Sequence, residues 1–309
     1  MLPLAVALSL AAACDSDDVW EFVELPTSAE LRCLVLDDDG RLLVGTLGDG
    51  LWRDGDDGWN RVSGSEDLNI HRLLTHEGIL YAATDAGLWT LEPGGRLDHT
   101  AFDEPLWSLA ADTDGLLVGG VGMVHRLTAP GVLAALPAGL PDHAVTAVAA
   151  VDDVIYAGTL GDGLWRLEGE SWQGVAGSRE TPLEAERITL LDYDPAAETL
   201  YLGSMYHGLY RSADGGGSFT KERGRGPEYN YITALVRDEG RLLISTAGIR
   251  AAGVYSSPGE LLNWRPVAGS PKTLRELTAD DAGRLWAVAD DGLYRGPTIA
   301  AAITGEEQP

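Results

Sequence analysis

Two stretches of this sequence combine aromatic and basic side chains, although the chain as a whole is acidic. They are Met205-Tyr206-His207 and the segment from Arg223 to Tyr231. Such side chains bind anionic or aromatic ligands through ion pairs and ring stacking. Ordinary loop variation is the alternative interpretation. Together with other residues expected on the same face, the predicted ligand-binding set is His71, Trp107, Tyr206, His207, Arg225, Tyr229, Tyr231, Arg250 and Arg275.

The sequence contains no pattern that is typical of a catalytic centre. It has no Gly-x-Ser-x-Gly nucleophile elbow and no His-Glu-x-x-His zinc motif, and its six histidines are scattered. Its acidic turns lack the ligand spacing of a calcium loop. We therefore predict no catalytic residue, no metal site and no cofactor. A glycosidase-like pair of carboxylates stays open as an alternative, because the separation that matters there is spatial.

The charge of the chain restricts its partners. The sequence has 48 acidic and 22 basic residues, which gives a formal net charge of −26. Binding to the phosphate backbone of nucleic acid needs a basic face, and so does docking on an anionic membrane surface. We expect a monomer that binds a protein partner or a small ligand, that binds no nucleic acid, and that meets a membrane only through a lipid anchor.

The N-terminus predicts export. Leu2 to Ala13 is an apolar run too short to span a bilayer, and it ends in Ala11-Ala12-Ala13-Cys14. This end resembles a bacterial lipoprotein signal, which implies a lipid on Cys14 and a location in the periplasm or on the cell surface. The run lacks the basic residues that usually precede such a segment, and an ordinary apolar N-terminus is the alternative. A disulfide between Cys14 and Cys33 would compete with the lipid.

One short apolar segment recurs along the chain at intervals of about 40 residues. Each copy is bounded by turn residues, as buried strands are. The copies begin at Leu42, Leu80, Leu116, Ile155, Leu200, Leu242 and Leu285. This spacing predicts a repeat architecture.

Three further markers surround each copy and complete a unit of four strands. An apolar-x-x-apolar segment such as Leu274 to Leu277 precedes it, and a Gly-aliphatic segment, usually with an aromatic third residue as in Gly50 to Trp52, follows it. An aromatic-x-x-Val segment such as Trp59 to Val62 closes the unit, but the units that start near Ile70 and Leu106 lack it. Asp/Gly turns such as Asp37 to Gly40 separate the first two strands, because Gly accepts the positive φ of a hairpin. Four antiparallel strands per repeat predict an all-β fold, a single seven-bladed β-propeller.

The two ends of the repeat region predict how the ring closes. Trp20 to Val23 matches the closing marker although no blade precedes it, and the last repeat has no such segment after Arg295. We therefore predict that the N-terminal strand completes the last blade. The predicted divisions are a signal segment and tether over 1–18, the propeller over 19–296, and a loose or docked C-terminal tail over 297–309.

Propeller geometry also predicts where the candidate residues lie. The loops that join the fourth strand to the next blade, and the second strand to the third, share one face near the central channel. The candidate residues, together with His143, are expected on that face. Loops held by a rigid scaffold commonly carry function.

The repeats resemble two known kinds of propeller. Asp280 to Trp286 and Asp291 to Arg295 are similar to the two-component-regulator propeller repeat, which implies the extracytoplasmic ligand-sensing part of a bacterial receptor. Ser212 to Phe219 resembles an Asp-box (BNR repeat), found in sialidase-like and photosystem-assembly-factor-like propellers. The resemblance implies a peripheral hairpin whose Asp accepts hydrogen bonds from nearby backbone N–H groups. The early Arg-Ile-Pro motif of sialidases is absent, since Arg187-Ile188 is followed by Thr189.

Three functions fit these features. The first is an exported, lipid-anchored propeller that acts as a non-enzymatic binding or scaffold module. The second is a carbohydrate-active hydrolase or lyase of the sialidase-like propeller type. The third is an extracytoplasmic sensor component that works with a separate signalling protein. Propellers host many functions, so the fold alone does not decide among them.

Overall fold

The computed structural model of the 309-residue chain describes residues 19–93, 95–100, 102–129, 131–175, 183–223, 226–228, 230–238, 240–248, 252–257 and 263–304. These residues form seven four-stranded antiparallel sheets and one short helix. The first strands of successive sheets contact one another and surround a central channel. The predicted all-β, seven-bladed propeller is confirmed.

Blades 1 to 3 follow an opening strand, β1 (Glu21–Val23), and each contains four strands in chain order. Blade 1 consists of β2 (Leu31–Leu36), β3 (Leu42–Thr46), β4 (Leu51–Arg53) and β5 (Asn60–Arg61). Blade 2 consists of β6 (Ile70–His76), β7 (Ile79–Thr84), β8 (Gly87–Leu91) and β9 (Leu97–His99). Blade 3 consists of β10 (Ser108–Asp112), β11 (Gly115–Gly119), β12 (Val124–Ala129) and β13 (Val132–Ala135).

Blades 4 to 7 repeat this arrangement, with the closing strand of the last blade supplied from the N-terminus. Blade 4 consists of β14 (Val145–Val151), β15 (Val154–Thr159), β16 (Leu164–Glu168) and β17 (Ser171–Gly174). Blade 5 consists of β18 (Ile188–Asp194), β19 (Thr199–Ser204), β20 (Gly208–Ser212) and β21 (Thr220–Lys221). Blade 6 consists of β22 (Tyr231–Asp238), β23 (Arg241–Ala247), β24 (Gly253–Ser257) and β25 (Arg265–Pro266). Blade 7 contains β26 (Leu274–Ala279), β27 (Arg284–Ala289) and β28 (Gly292–Thr298).

The N-terminal strand closes the ring, as the sequence predicted. β1 pairs with β28 in antiparallel register, with Phe22 opposite Tyr294. The two rings meet edge to face with their centroids 5.5 Å apart. Closure pairs the first strand of the described residues with the last, so both ends of the ring are held in one sheet and blade 7 keeps four strands.

The core lies between neighbouring blades, where a glycine in the second strand permits close approach. All of β3 is buried, and a Cβ atom on Gly45 would lie 2.8 Å from Cγ2 of Ile70 in blade 2. At the equivalent position of blade 4, a Cβ on Gly158 would lie 2.4 Å from Cγ2 of Ile188. Protein interiors pack at crystal density, so a side chain at either position would force the blades apart.

The propeller has two faces, which we name by their loops. The upper face carries the loops between second and third strands and the loops that lead to the next blade. The lower face carries the hairpins between first and second strands. In several of these hairpins an aspartate organises its own turn: Asp37 Oδ1, for example, accepts hydrogen bonds from the backbone N–H groups of Asp39 (3.1 Å) and Arg41 (2.8 Å). Such Asx turns are typical of tight hairpins.

The residues after Arg295 continue the last blade and then form a helix. β28 extends to Thr298, and α1 (Ile299–Thr304) follows directly. Ile299 and Ala302 of this helix are buried against blades 6 and 7. The described part of the predicted tail is therefore docked on the propeller; residues 305–309 lie outside the described residues.

Candidate functional site

A ring of seven side chains surrounds the upper end of the channel, one from each blade. Each is the first x residue of the apolar-x-x-apolar segment that begins the innermost strand. In blade 7, for example, Leu274 pairs with Ala289 and Glu276 with Val288, so Arg275 between them is unpaired. The pairing skips the corresponding residue in five other blades, and in blade 3 this residue lies directly before β10. Such bulges redirect a side chain at the rim of a sheet. The ring consists of Arg32, His71, Trp107, Thr146, Thr189, Thr233 and Arg275.

Three of the seven ring residues are threonines whose hydroxyls are hydrogen-bonded within the fold, two of them to the next blade. The Thr146 hydroxyl donates to the backbone carbonyl of Ile188 at 2.6 Å, and the Thr189 hydroxyl donates to that of Ile232 at 2.5 Å. The Thr233 hydroxyl shares a hydrogen bond of 2.7 Å with Ser245. Blades 4, 5 and 6 therefore use this position for structure. The four chemically varied residues of the ring lie on blades 7, 1, 2 and 3.

All seven ring residues line a cavity of about 370 Å³ that opens on the upper face. We call it the upper cavity. Its volume lies in the range of small-ligand sites, about 300–1,000 Å³. Tyr231, at the start of β22, also lines it, and burial raises the pKa of its hydroxyl, which therefore stays protonated at neutral pH. The structure thus brings together four residues of the predicted set, His71, Trp107, Tyr231 and Arg275.

The sequence prediction missed other residues of this cavity. Arg32 occupies the same marker position in blade 1 as His71 does in blade 2 and Arg275 in blade 7. That shared position was the signal that could have identified it. Treating the x residues of the marker as channel-lining positions would have predicted the whole ring.

His71 and Trp107 stack on each other in the wall of the upper cavity. Their ring centroids are 4.1 Å apart at an interplanar angle of 25°. His71 Nε2 is hydrogen-bonded to Asp85 Oδ1 at 2.6 Å, and Asn69 donates to the other carboxylate oxygen at 2.7 Å. Burial raises the pKa of Asp85, but these two hydrogen bonds outweigh it and leave the pKa below its usual value. A fixed carboxylate therefore holds the imidazole on the indole.

A chain of alternating charges lies on blades 7 and 1, next to this stacked pair. Glu30 Oε1 accepts from Arg32 Nη1 at 3.1 Å and from Arg275 Nη1 at 2.9 Å. Arg275 Nη2 then contacts Asp290 Oδ1 at 2.7 Å. We call these four residues, Arg32, Glu30, Arg275 and Asp290, the ion chain. Its two cations and two anions balance, and its ends are a guanidinium and a carboxylate.

Two hydrogen-bond donors in the cavity residues lack acceptors. Among the described residues, Trp107 Nε1 and Arg275 Nε are shielded from solvent and have no hydrogen-bond partner. An unsatisfied buried donor costs about 1–3 kcal/mol, and buried polar groups in native proteins are nearly always paired. Both donors are closed off from the open space of the upper cavity as well as from bulk solvent.

Other predicted residues lie on the upper face but outside this cavity. Tyr206 is 63% exposed and has a left-handed backbone, with φ of 78°. His207 Nδ1 lies 3.9 Å from Glu184 Oε2, and His143 Nδ1 lies 2.5 Å from Asp162 Oδ2. None of these three residues lines the upper cavity. Cys14, Arg225, Tyr229 and Arg250, all of which were predicted to be functional, lie outside the described residues.

An ion pair forms the floor of the upper cavity. Arg72 Nη1 contacts Glu276 Oε2 across the channel, and Glu276 is buried. Burial raises the pKa of Glu276 against the opposing pull of Arg72. Both residues also line a second cavity of about 960 Å³, which opens on the lower face and which we call the lower cavity. The pair therefore separates the two mouths of the channel.

The described residues contain neither a membrane-spanning helix nor a cluster of metal ligands. No helix among them is long and apolar enough to cross a membrane. Within the same residues, no group of three or more His, Cys, Asp or Glu side chains is arranged to hold a metal ion.

No protein-family model matches the sequence, and no curated protein matches it. Among solved structures, the chain is similar to an extracellular domain assigned to a hybrid two-component system of B. thetaiotaomicron, with 19% identity and a TM-score of 0.73. That match covers 90% of this chain and 39% of the other, so the chain spans well under half of that protein's length.

Two further solved structures match nearly along their full lengths. Streptogramin B lyase has 10% identity and a TM-score of 0.71, over 89% of this chain and 96% of the lyase. YCF48 bound to a D1 peptide has 14% identity and a TM-score of 0.68, over 90% of this chain and 97% of that protein. At these identities the likeness establishes the propeller fold alone.

Proposed function

We propose that this protein is a non-enzymatic binding module whose upper cavity receives a small ligand or a segment of a partner protein. The observation that carries the proposal is the ring of bulged residues, in which four chemically varied side chains on blades 7, 1, 2 and 3 surround one cavity. Ligand sites in proteins combine a concave shape with a few convergent polar groups, and the upper cavity has both.

Binding fits this site better than acid–base catalysis. The two carboxylates that line the upper cavity, Asp290 and Glu276, are both paired with arginines. A hydrolase would need one carboxyl group free to give up or accept a proton at the reacting bond. The hydrolase or lyase alternative stays a prediction, to be tested by turnover of any ligand that binds.

The proposal is tested by a thermal-shift screen of the full-length protein against a library of small polar and aromatic compounds. A ligand of the upper cavity should raise the unfolding temperature of the wild type and should lose this effect in Trp107→Leu. The matched control is Asp153→Asn, which changes a residue of the lower cavity. Ligands that stabilise Trp107→Leu and wild type equally would show that they bind elsewhere and would contradict the proposal.

We further propose that the protein is exported and anchored by a lipid on Cys14. The apolar run before Cys14 and the likeness to extracellular domains support this location. Intact mass and membrane fractionation in a bacterial host should show an acylated, membrane-bound protein, and Cys14→Ser should lose both the acyl mass and the membrane association. A soluble product of unprocessed mass in both forms would contradict export.

A sensor component is the second candidate. It is favoured by the similarity to extracellular domains assigned to two-component systems. Such a role would use the same upper cavity, with ligand binding passed on to a separate signalling protein. The thermal-shift screen therefore tests the first step of both candidates.

A further inference from the structure

We infer that the upper cavity binds a small zwitterion that carries an aromatic ring, a ligand of the chemical class of an aromatic amino acid. This inference rests on the proposed function, because it names the ligand of the same cavity. Two features of the described residues support it: the ion chain and the stacked rings.

The two ends of the ion chain carry opposite charges, a guanidinium group on Arg32 and a carboxylate on Asp290, and each has atoms that form no ion pair or hydrogen bond with a described residue. Arg32 uses Nη1 to contact Glu30, and among the described residues its Nε and Nη2 have no partner. At the other end Asp290 uses Oδ1 to contact Arg275, and within the same residues its Oδ2 has none. The side chains of Arg32 and Asp290 are 31% and 52% exposed, and both line the upper cavity. A ligand carboxylate can therefore meet Arg32 while a ligand ammonium group meets Asp290.

A ligand with only one charge fits this chain less well. The ion chain is neutral, since two arginines face two carboxylates. An anion would have to compete with Glu30 and Asp290 for the guanidinium groups, inside a protein whose net charge is −26. A cation would have to compete with Arg32 and Arg275 for the carboxylates of Glu30 and Asp290. A zwitterion adds no net charge and supplies both kinds of group.

The remaining wall of the cavity suits a flat ring. Trp107, His71 and Tyr231 all line it, and the first two already stack at 4.1 Å. Aromatic groups prefer such faces, and a ring that packs against them is removed from water. The volume of about 370 Å³ fits a ligand of amino-acid size.

The test is isothermal titration calorimetry of the full-length protein with three probes of one shape. The probes are phenylalanine, 3-phenylpropionate, which lacks the ammonium group, and 2-phenylethylamine, which lacks the carboxylate. We expect phenylalanine to bind at least about tenfold more tightly than either analogue, because each analogue loses a charge-assisted hydrogen bond. If either analogue binds as tightly as phenylalanine, the zwitterion inference is overturned, while the cavity remains a ligand site.

Two variants separate the two ends of the ion chain. Arg32→Gln should weaken phenylalanine about tenfold and leave 2-phenylethylamine unchanged, whereas Asp290→Asn should weaken phenylalanine and leave 3-phenylpropionate unchanged. The analogue that a variant still binds also shows that the variant is folded. Arg96→Gln is the control, since Arg96 forms an exposed ion pair of 3.0 Å with Asp98 away from the cavity.

Two other outcomes of the calorimetry would count against the inference. Equal losses of all three probes in both variants would show a general collapse of the site and would overturn the assignment of the two ends. If none of the three probes binds to the wild type, the inference is wrong. The thermal-shift screen would then test the proposed function separately. A different ligand that stabilises the wild type but not Trp107→Leu would support it.

Discussion

The two mouths of the channel differ in what their polar residues do. At the lower mouth, aspartates and arginines satisfy one another and the turns: Asp280 Oδ1 accepts from the backbone N–H groups of Ala282 and Arg284, and Arg126 bridges Asp112 and Asp114 at 2.7 Å each. At the upper mouth, Trp107 and Arg275 keep shielded donors that no described residue satisfies.

The difference shows where this fold leaves room for a function. The hairpins between first and second strands need their Asp and Gly residues to form the turn, so these residues are not available for another role. A bulged residue at the upper end of the innermost strand takes no part in the pairing of its sheet. Its side chain can therefore vary from blade to blade, and here the ring ranges from threonine to arginine, histidine and tryptophan.

The ion pair between the mouths gives the largest expected effect. Arg72→Leu would leave Glu276 buried without its partner, and removal of one partner of a buried pair is strongly destabilising. Since the Arg72 side chain is 37% exposed, we expect a loss at the low end of the usual range, about 3 kcal/mol in the free energy of unfolding by urea.

The double variant Arg72→Leu with Glu276→Leu is the control for this prediction. Replacing both partners by apolar side chains removes the unpaired charge, so most of the lost stability should return. An unchanged urea midpoint in the single variant would show that the Arg72–Glu276 pair contributes little to the free energy of unfolding.

Two tryptophans, one at each mouth, test this comparison of the mouths, and the expected effect is of intermediate size. Trp286, at the lower mouth, donates from Nε1 to Asp280 Oδ2 at 3.1 Å, whereas Trp107 Nε1 has no acceptor among the described residues. Both side chains are half-buried. Trp286→Phe should therefore cost about 1 kcal/mol more in unfolding free energy than Trp107→Phe, because only the first loses a hydrogen bond. Equal losses in chemical denaturation would contradict the difference between the mouths.

The smallest effect is a difference in pH dependence. The pKa of Asp85, at the upper mouth, lies below its usual value because the hydrogen bonds from His71 and Asn69 outweigh burial. The pKa of Asp192, at the lower mouth, lies above its usual value because burial outweighs the attraction of Arg237. A carboxyl group with a lowered pKa stabilises the fold above the unfolded-state pKa, about 3.9, and this contribution is lost as the pH falls through its folded-state pKa. A carboxyl group with a raised pKa stabilises the fold fully below the unfolded-state pKa, and this contribution is lost as the pH rises through its folded-state pKa.

Urea unfolding of Asp85→Asn and Asp192→Asn at several pH values between about 3 and 6 checks these signs. The advantage of the wild type over Asp85→Asn should shrink as the pH falls through the folded-state pKa of Asp85. Relative to Asp192→Asn, the wild type should lose stability as the pH rises through the folded-state pKa of Asp192. Slopes of the same sign for the two variants would show that the two carboxyl groups do not differ in this way.

The sequence predicted the fold because each blade repeats its own local signals. The strands around Leu42 and Leu285, the Asp/Gly turns and the closing strand near Phe22 all follow from patterns of a few residues, and the structure contains each of them. Of the residues predicted to bind a ligand, His71 and Arg275 line one cavity, but Tyr206 does not. Loop residues that depart from the repeat consensus lie on the upper face, but their spacing in the sequence does not show which side chains point toward the channel.

Short-range periodicity and turn chemistry determined the seven blades by themselves, since strands and hairpins depend on neighbours in the chain. Only the tertiary structure decided which residues meet across the ring. Glu30 and Asp290 are separated by nearly the whole chain, and they become parts of one ion chain because closure places blade 7 beside blade 1. Contacts of this kind depend on the curvature of the whole ring, which no single repeat contains.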